Sequence, residues 1–145
     1  MKLSTLLLAC MFICASIAAR AAKCTVSTSG ISFGTYDVFS ALDDDITGTI
    51  TVNCTNKSAY TLSLSSGSGT YASRTLKSGI HALAYNLFVD PTRLTIWGDG
   101  SAGTSTASGV GTGTNSNTPV YGRIPARQNV FIGTYSDVVT VTVTF

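Results

Sequence analysis

Four cysteines, one histidine, one tryptophan and seven aspartates carry most of the chemistry open to this chain. His81 is the single histidine, and no acid stands near it in sequence, so a triad could only assemble in space. Serines are numerous, and although Gly30-Ile31-Ser32-Phe33-Gly34 spells G-x-S-x-G, Ser32 lies within an apolar strand pattern and not at the strand-to-helix turn that such a nucleophile needs. His81 therefore reads as a solvated loop histidine and not as a catalytic base. Asp43-Asp44-Asp45 offers hard oxygen ligands, but the run lacks the spaced ligands and glycine of a calcium loop, and it reads as a solvated turn. Asp90, Asp99 and Asp137 are the other acids that a glycosidase pair could draw on. The glycines of residues 98–113 are not followed by Lys-Ser or Lys-Thr, so no phosphate loop is supported. Trp97 reads as a core anchor, with an exposed sugar-stacking ring as the alternative. No catalytic residue, metal site or cofactor is expected.

The cysteines divide into two pairs. Cys10 and Cys14 lie in an apolar run, Leu3 to Ala18, which follows Lys2 and precedes the small-x-small site Ala19-Arg20-Ala21. That is the layout of a signal peptide over residues 1–21, too short and wrongly flanked for a membrane anchor. Leu7-Leu8-Ala9-Cys10 superficially resembles a lipoprotein box, but it would leave another apolar run after the lipidated cysteine. Cys24 and Cys54 survive cleavage. In an exported protein an even pair implies a disulfide made in an oxidising compartment. Closing a loop of this length contributes about 3 to 4 kcal/mol by the chain-entropy estimate.

Residues 22–145 are enough for one domain. Without Lys2 and Arg20, seven basic residues balance seven aspartates. A near-zero net charge concentrates no positive potential, which argues against nucleic acid or anionic membrane as partner. The elements that must position these residues are strands. Cys24-Thr25-Val26 opens the first and Ile31-Ser32-Phe33 extends it; Gly48 to Cys54, Tyr60 to Leu64 and Leu83 to Val89 follow. If Cys24, Val26, Ile50, Val52 and Cys54 all face inward, the disulfide staples two strands inside the core. Residues 98–118 are almost wholly Gly, Ser, Thr, Ala and Asn and read as a long mobile surface loop. Tyr121 to Ile124 and Val130 to Ile132 lead to a last strand in strict alternation. There Val139, Val141, Val143 and Phe145 point to one face, and Thr140, Thr142 and Thr144 to the other. Six or seven short strands and no amphipathic helix predict an all-β, antiparallel sandwich.

In order, Cys24-Thr25-Val26, Gly30 to Tyr36, Gly48 to Cys54, Tyr60 to Gly67, Arg74-Thr75-Leu76, Leu83 to Asp90, Trp97 to Gly100, Tyr121 to Ala126 and Gly133 to Asp137 form a recognisable pattern. Together they resemble the spore coat protein U domain family, which includes subunits of archaic chaperone–usher pili. The resemblance implies an incomplete immunoglobulin-like sandwich lacking its final strand. A periplasmic chaperone lends that strand, and a neighbouring pilus subunit, delivered at the usher, later replaces it. Val139, Val141, Val143 and Phe145 are then expected to line one wall of the acceptor groove and the core beneath it. A donor needs alternating residues ahead of its first cysteine, whereas this chain has only Ala19-Arg20-Ala21-Ala22-Lys23 there. The expectation is a strand acceptor that donates none, exported to the periplasm and then to a fimbrium or secreted. It would be a non-enzymatic tip or terminal subunit without membrane insertion of the mature chain. Two alternatives stand beside it: a self-complete secreted coat or matrix protein, and a carbohydrate-binding module using Trp97, Tyr85 and Tyr121.

Overall fold

Alternation along the chain is what builds the two layers. In β2 (Asp44–Cys54) Gly48, Ile50, Val52 and Cys54 are buried, while the intervening Thr49, Thr51 and Asn53 are only half-buried. β3 (Ala59–Leu64) buries Tyr60, Leu62 and Leu64, and β7 (Ser116–Ile124) buries Val120, Gly122 and Ile124. Side chains two residues apart share a face, so each strand contributes one apolar row to a common core. The computed structural model describes residues 22–55 and 57–145. The signal peptide expected over residues 1–21 lies outside the described residues.

Five strands form one sheet in the order β1 (Cys24–Thr28), β2, β7, β5 (His81–Phe88) and β4 (Arg74–Ser78). Three form the other, with β3 between β6 (Ala107–Val110) and β8 (Val141–Thr144). Every strand pair is antiparallel, and no helix occurs among the described residues. The core lies between the sheets, around Ile50, Leu62, Leu87, Trp97 and Ile124.

Cys24 stands directly opposite Cys54 in the β1–β2 register and is disulfide-bonded to it, with Cα atoms 4.1 Å apart. The flanking main-chain bond from Thr55 N to Lys23 O makes this a non-hydrogen-bonded pair, the closer of the two antiparallel spacings. Pro119 is tolerated inside β7 for a related reason. It opposes Thr49 in a non-hydrogen-bonded pair, so its nitrogen faces the other edge, which β5 meets only at residues 121–123.

Several expectations need correction. Ile31 to Phe33 do not extend β1: Gly30, at φ 71°, turns the chain, and Ile31 and Phe33 pack half-buried against the core. Residues 98–118 are not one loop, because β6 and the start of β7 lie within them. Small side chains bury little, but their main-chain groups pair with β3 and β2 as well as any others. Asp44 and Asp45 are no turn; they open β2 opposite Ile124 and Arg123. Residues 130–132 form no strand. His81 opens β5 instead of a loop, its ring stacked on Phe131 at 4.4 Å between centroids. Val26 is 42% exposed, so the disulfide sits at the margin of the core and only its Cys54 half is buried.

Candidate functional site

The acids do not converge on a reaction centre. Arg123 grips both oxygens of Asp45 at 2.7 and 2.8 Å, and Arg93 adds a contact at 3.2 Å. The hydrogen bond from Arg123, with the positive charges behind it, holds the Asp45 carboxyl below the ordinary carboxylate range. Asp43 accepts from Ala126 N. Asp90 ties off a turn through Thr92 and the amides of Leu94 and Thr95; the Thr92 hydroxyl chiefly holds its pKa down, to about 2. Asp99 accepts from Ser101. Among the described residues no group of three or more His, Cys, Asp or Glu could hold a metal ion.

Trp97 is fully buried, and its Nε1 donates to Leu62 O at 3.1 Å. A ring packed on both faces cannot stack on a sugar, which corrects the surface-contact role considered for it. The residue beside it was missed. Arg74, the first residue of β4, is wholly buried, and its guanidinium donates to Ser65 O, Trp97 O and Asn86 Oδ1. Burial lowers its pKa from the ordinary value, yet four donor contacts to carbonyl-type oxygens compensate the buried charge. The clamp ties β4 and β5 of one sheet to the end of β3 in the other.

The adjoining flank is open. A cleft of about 330 Å³ runs between the sheets. Thr28, Ile31 and Phe33 form one wall, Asp137, Val138, Val139 and Val141 the other, and Ile50, Leu64 and Leu87 the floor. Val139 and Val141 stand in the wall. Val143 packs against the core farther along, and Phe145, 57% exposed, lies outside both.

The main chain on both sides of this cleft points outward. Ser65 N donates to Thr140 O, which places the β3-facing groups of the last strand on Thr140, Thr142 and Thr144. The N–H and C=O of Val139, Val141 and Val143 therefore face the other edge, where no main-chain partner is found among the described residues. In β1 the bonds to β2 fall on the odd-numbered residues, so Cys24, Val26 and Thr28 likewise face out.

At one end of the cleft the chain leaves the β4 edge, where Lys77 and Ser136 exchange main-chain bonds, and crosses to β8. Asp137 fixes this crossing. Its Oδ1 accepts from Ser68 N, Ser68 Oγ and Val138 N at 2.7–2.9 Å, and its Oδ2 accepts from the Tyr85 hydroxyl at 2.7 Å. Burial opposes ionisation, but the bonds from Tyr85, Ser68 and Val138 outweigh it and lower the carboxyl pKa. Burial and then the Asp137 carboxylate push the Tyr85 phenol well up. Gly67 at φ 62° lets the chain come this close, since a Cβ there would sit 2.1 Å from Oδ2.

A second feature lies at the end of the sandwich where β2 begins. Tyr36 Oη bonds the loop after Pro125, and Gln128 bonds Ala84 near the start of β5. Three connections thereby gather at one end, and each presents strongly exposed apolar side chains: Phe39 and Leu42, Ile80, and Phe131 with Ile132.

The fold, its disulfide and its paired free edges define an immunoglobulin-like antiparallel sandwich with an open inter-sheet cleft. The chain belongs to the Spore Coat Protein U domain family, whose model matches residues 9–142. It is 40% identical over 129 residues to Protein U of Myxococcus xanthus, covering 79% of this chain and 71% of that protein. Among solved structures it is similar to a chain in the CsuC–CsuE chaperone–tip adhesion subunit pre-assembly complex from archaic chaperone–usher Csu pili of Acinetobacter baumannii. The TM-score is 0.63 at 25% identity, over 86% of this chain and 40% of that one.

Proposed function

We propose that this chain is an exported, non-enzymatic structural and adhesive subunit of the archaic chaperone–usher type, which receives a partner's β-strand in the cleft beside Val139 and Val141. The observation that carries the reading is the cleft itself: an apolar trough whose margins carry main-chain groups with no main-chain partner among the described residues. An extended segment laid there gains main-chain hydrogen bonds from the edge and fills the trough with alternate side chains. Left open, the same edge invites aggregation. Similarity to the pilus subunit complex supports a periplasmic chaperone, an usher and a neighbouring subunit as partners. The leader over residues 1–21 and the Cys24–Cys54 bond accord with export to the periplasm and onward to the cell surface or fimbrium. Ala19-Arg20-Ala21-Ala22-Lys23 holds no alternating apolar stretch, so on this reading the subunit receives a strand and offers none, as a tip or terminal subunit does. The exposed Phe39, Leu42, Ile80, Phe131 and Ile132 supply a contact surface in place of Trp97.

The Spore Coat description of the family favours a second reading, a secreted coat or matrix protein; on that reading the sandwich completes itself. One experiment separates the two. The protein is produced in a periplasm with and without a pilus chaperone, and amide exchange is followed at Val139, Val141 and Val143. Solubility that depends on the chaperone, with those amides protected only in the complex, supports the first reading. A stable lone monomer with the same amides already protected overturns it in favour of the second.

A further inference from the structure

Asp137 is the one carboxylate in a cleft otherwise lined by apolar side chains, two threonines, a glycine and a tyrosine. Its four bonds all come from neutral donors, three on Oδ1 and one on Oδ2, so an Oδ2 lone pair is left over. No arginine or lysine touches it among the described residues: the ion pairs found there belong to Arg93 and Arg123, and the buried Arg74 acts on it only through space, its donors being taken by Ser65, Asn86 and Trp97. In the open cleft, water solvates what the neutral donors leave. A strand laid along residues 137–141 removes that water. An apolar side chain above Asp137 would then desolvate a charge and return nothing, whereas a cation there meets an acceptor already held in place by Tyr85 and Ser68.

We infer that the strand received in this cleft carries a lysine or arginine at the position facing Asp137, so that the partner is an alternating apolar segment with a basic residue at one end. This rests on the strand-accepting reading above. It makes Asp137 a specificity-determining residue at one end of a trough whose remaining positions select only apolar bulk.

The test titrates the exported protein with three short synthetic strands of alternating valine and threonine. One has lysine at its first position, one has lysine at its last, and one has leucine at both. Lysine at one end, and only that end, should tighten binding about five- to tenfold over the leucine strand at low salt. The gain should shrink at high salt and vanish in Asp137→Asn. Equal binding of all three strands overturns the inference and leaves the strand-accepting reading standing. A gain that survives in Asp137→Asn does the same. Should that variant not fold, the unmodified protein decides, since an equal gain from lysine at either end overturns the assignment. If no strand binds at all, the strand-accepting reading falls and the inference with it.

Discussion

One flank of this sandwich is closed by a buried cation and the other is left open, and the two share the same strands. Around Arg74, donors from β4 meet acceptors from Ser65, Asn86 and Trp97, and no buried side-chain nitrogen or oxygen lacks a partner among the described residues. Beside β8, Val139, Val141 and Val143 leave their main-chain groups facing outward over an apolar trough. The difference teaches where the fold keeps its own stability and where it holds a place for another chain. A closed flank that depends on no partner lets the open flank remain unfilled without the two sheets separating.

The sharpest way to break that comparison is to remove the clamp. Arg74→Met leaves buried carbonyl oxygens unsatisfied and should cost about 3 to 5 kcal/mol. It should appear as a lower denaturant midpoint with an unchanged slope, and a change under about 1 kcal/mol would show that the closed flank does not depend on Arg74. Next in size is the disulfide, which holds the β1 wall of the open flank. The Cys24→Ala/Cys54→Ala double variant should lose about 3 to 4 kcal/mol in thermal unfolding, and reductant should then have no further effect.

Tyr85→Phe probes the junction between the flanks. Losing the bond to Asp137 should cost about 1 kcal/mol at neutral pH. Because the folded pKa of Asp137 is depressed, the stability linked to its ionisation is present above the unfolded pKa and lost as pH falls through the folded one. The difference between Tyr85→Phe and the unmodified protein should therefore narrow only in acid, below the ordinary carboxylate range. Unfolding midpoints along a pH series test this; a gap that stays constant into strong acid contradicts the linkage.

The smallest stability effect belongs to the open wall. Val141→Thr should cost under about 1 kcal/mol, since the residue is only half-buried, while weakening strand binding about tenfold through the apolar contact it loses. Equal losses in stability and binding would mean that the wall belongs to the closed core after all.

Much of the architecture was legible because it depends on alternation. Ile50, Val52 and Cys54, or Leu62 and Leu64, announce their strands from spacing alone, and the family pieces add their order. The elements that escaped notice are those whose side chains carry no such signal. β6 is Ala-Ser-Gly-Val, and its place beside β3 rests on main-chain bonds. β4 begins with a charged residue that would ordinarily mark a surface. Its arginine is buried only because Ser65, Asn86 and Trp97, from three separate stretches, bring oxygens to it. Asp137 was visible merely as one of few acids; its partner Tyr85 lies 52 residues away.

By itself, then, the chain's order of residues determined the class of fold, the cysteine pairing and the valine face of the last strand, because each follows from local periodicity or from a count. The tertiary structure alone decided that Trp97 is sealed inside, that Arg74 joins the sheets, and that Val139 and Val141 border an open cleft while Phe145 stands clear of it. Burial and edge pairing depend on which strands come to lie beside one another, and no spacing within a single strand records its neighbours.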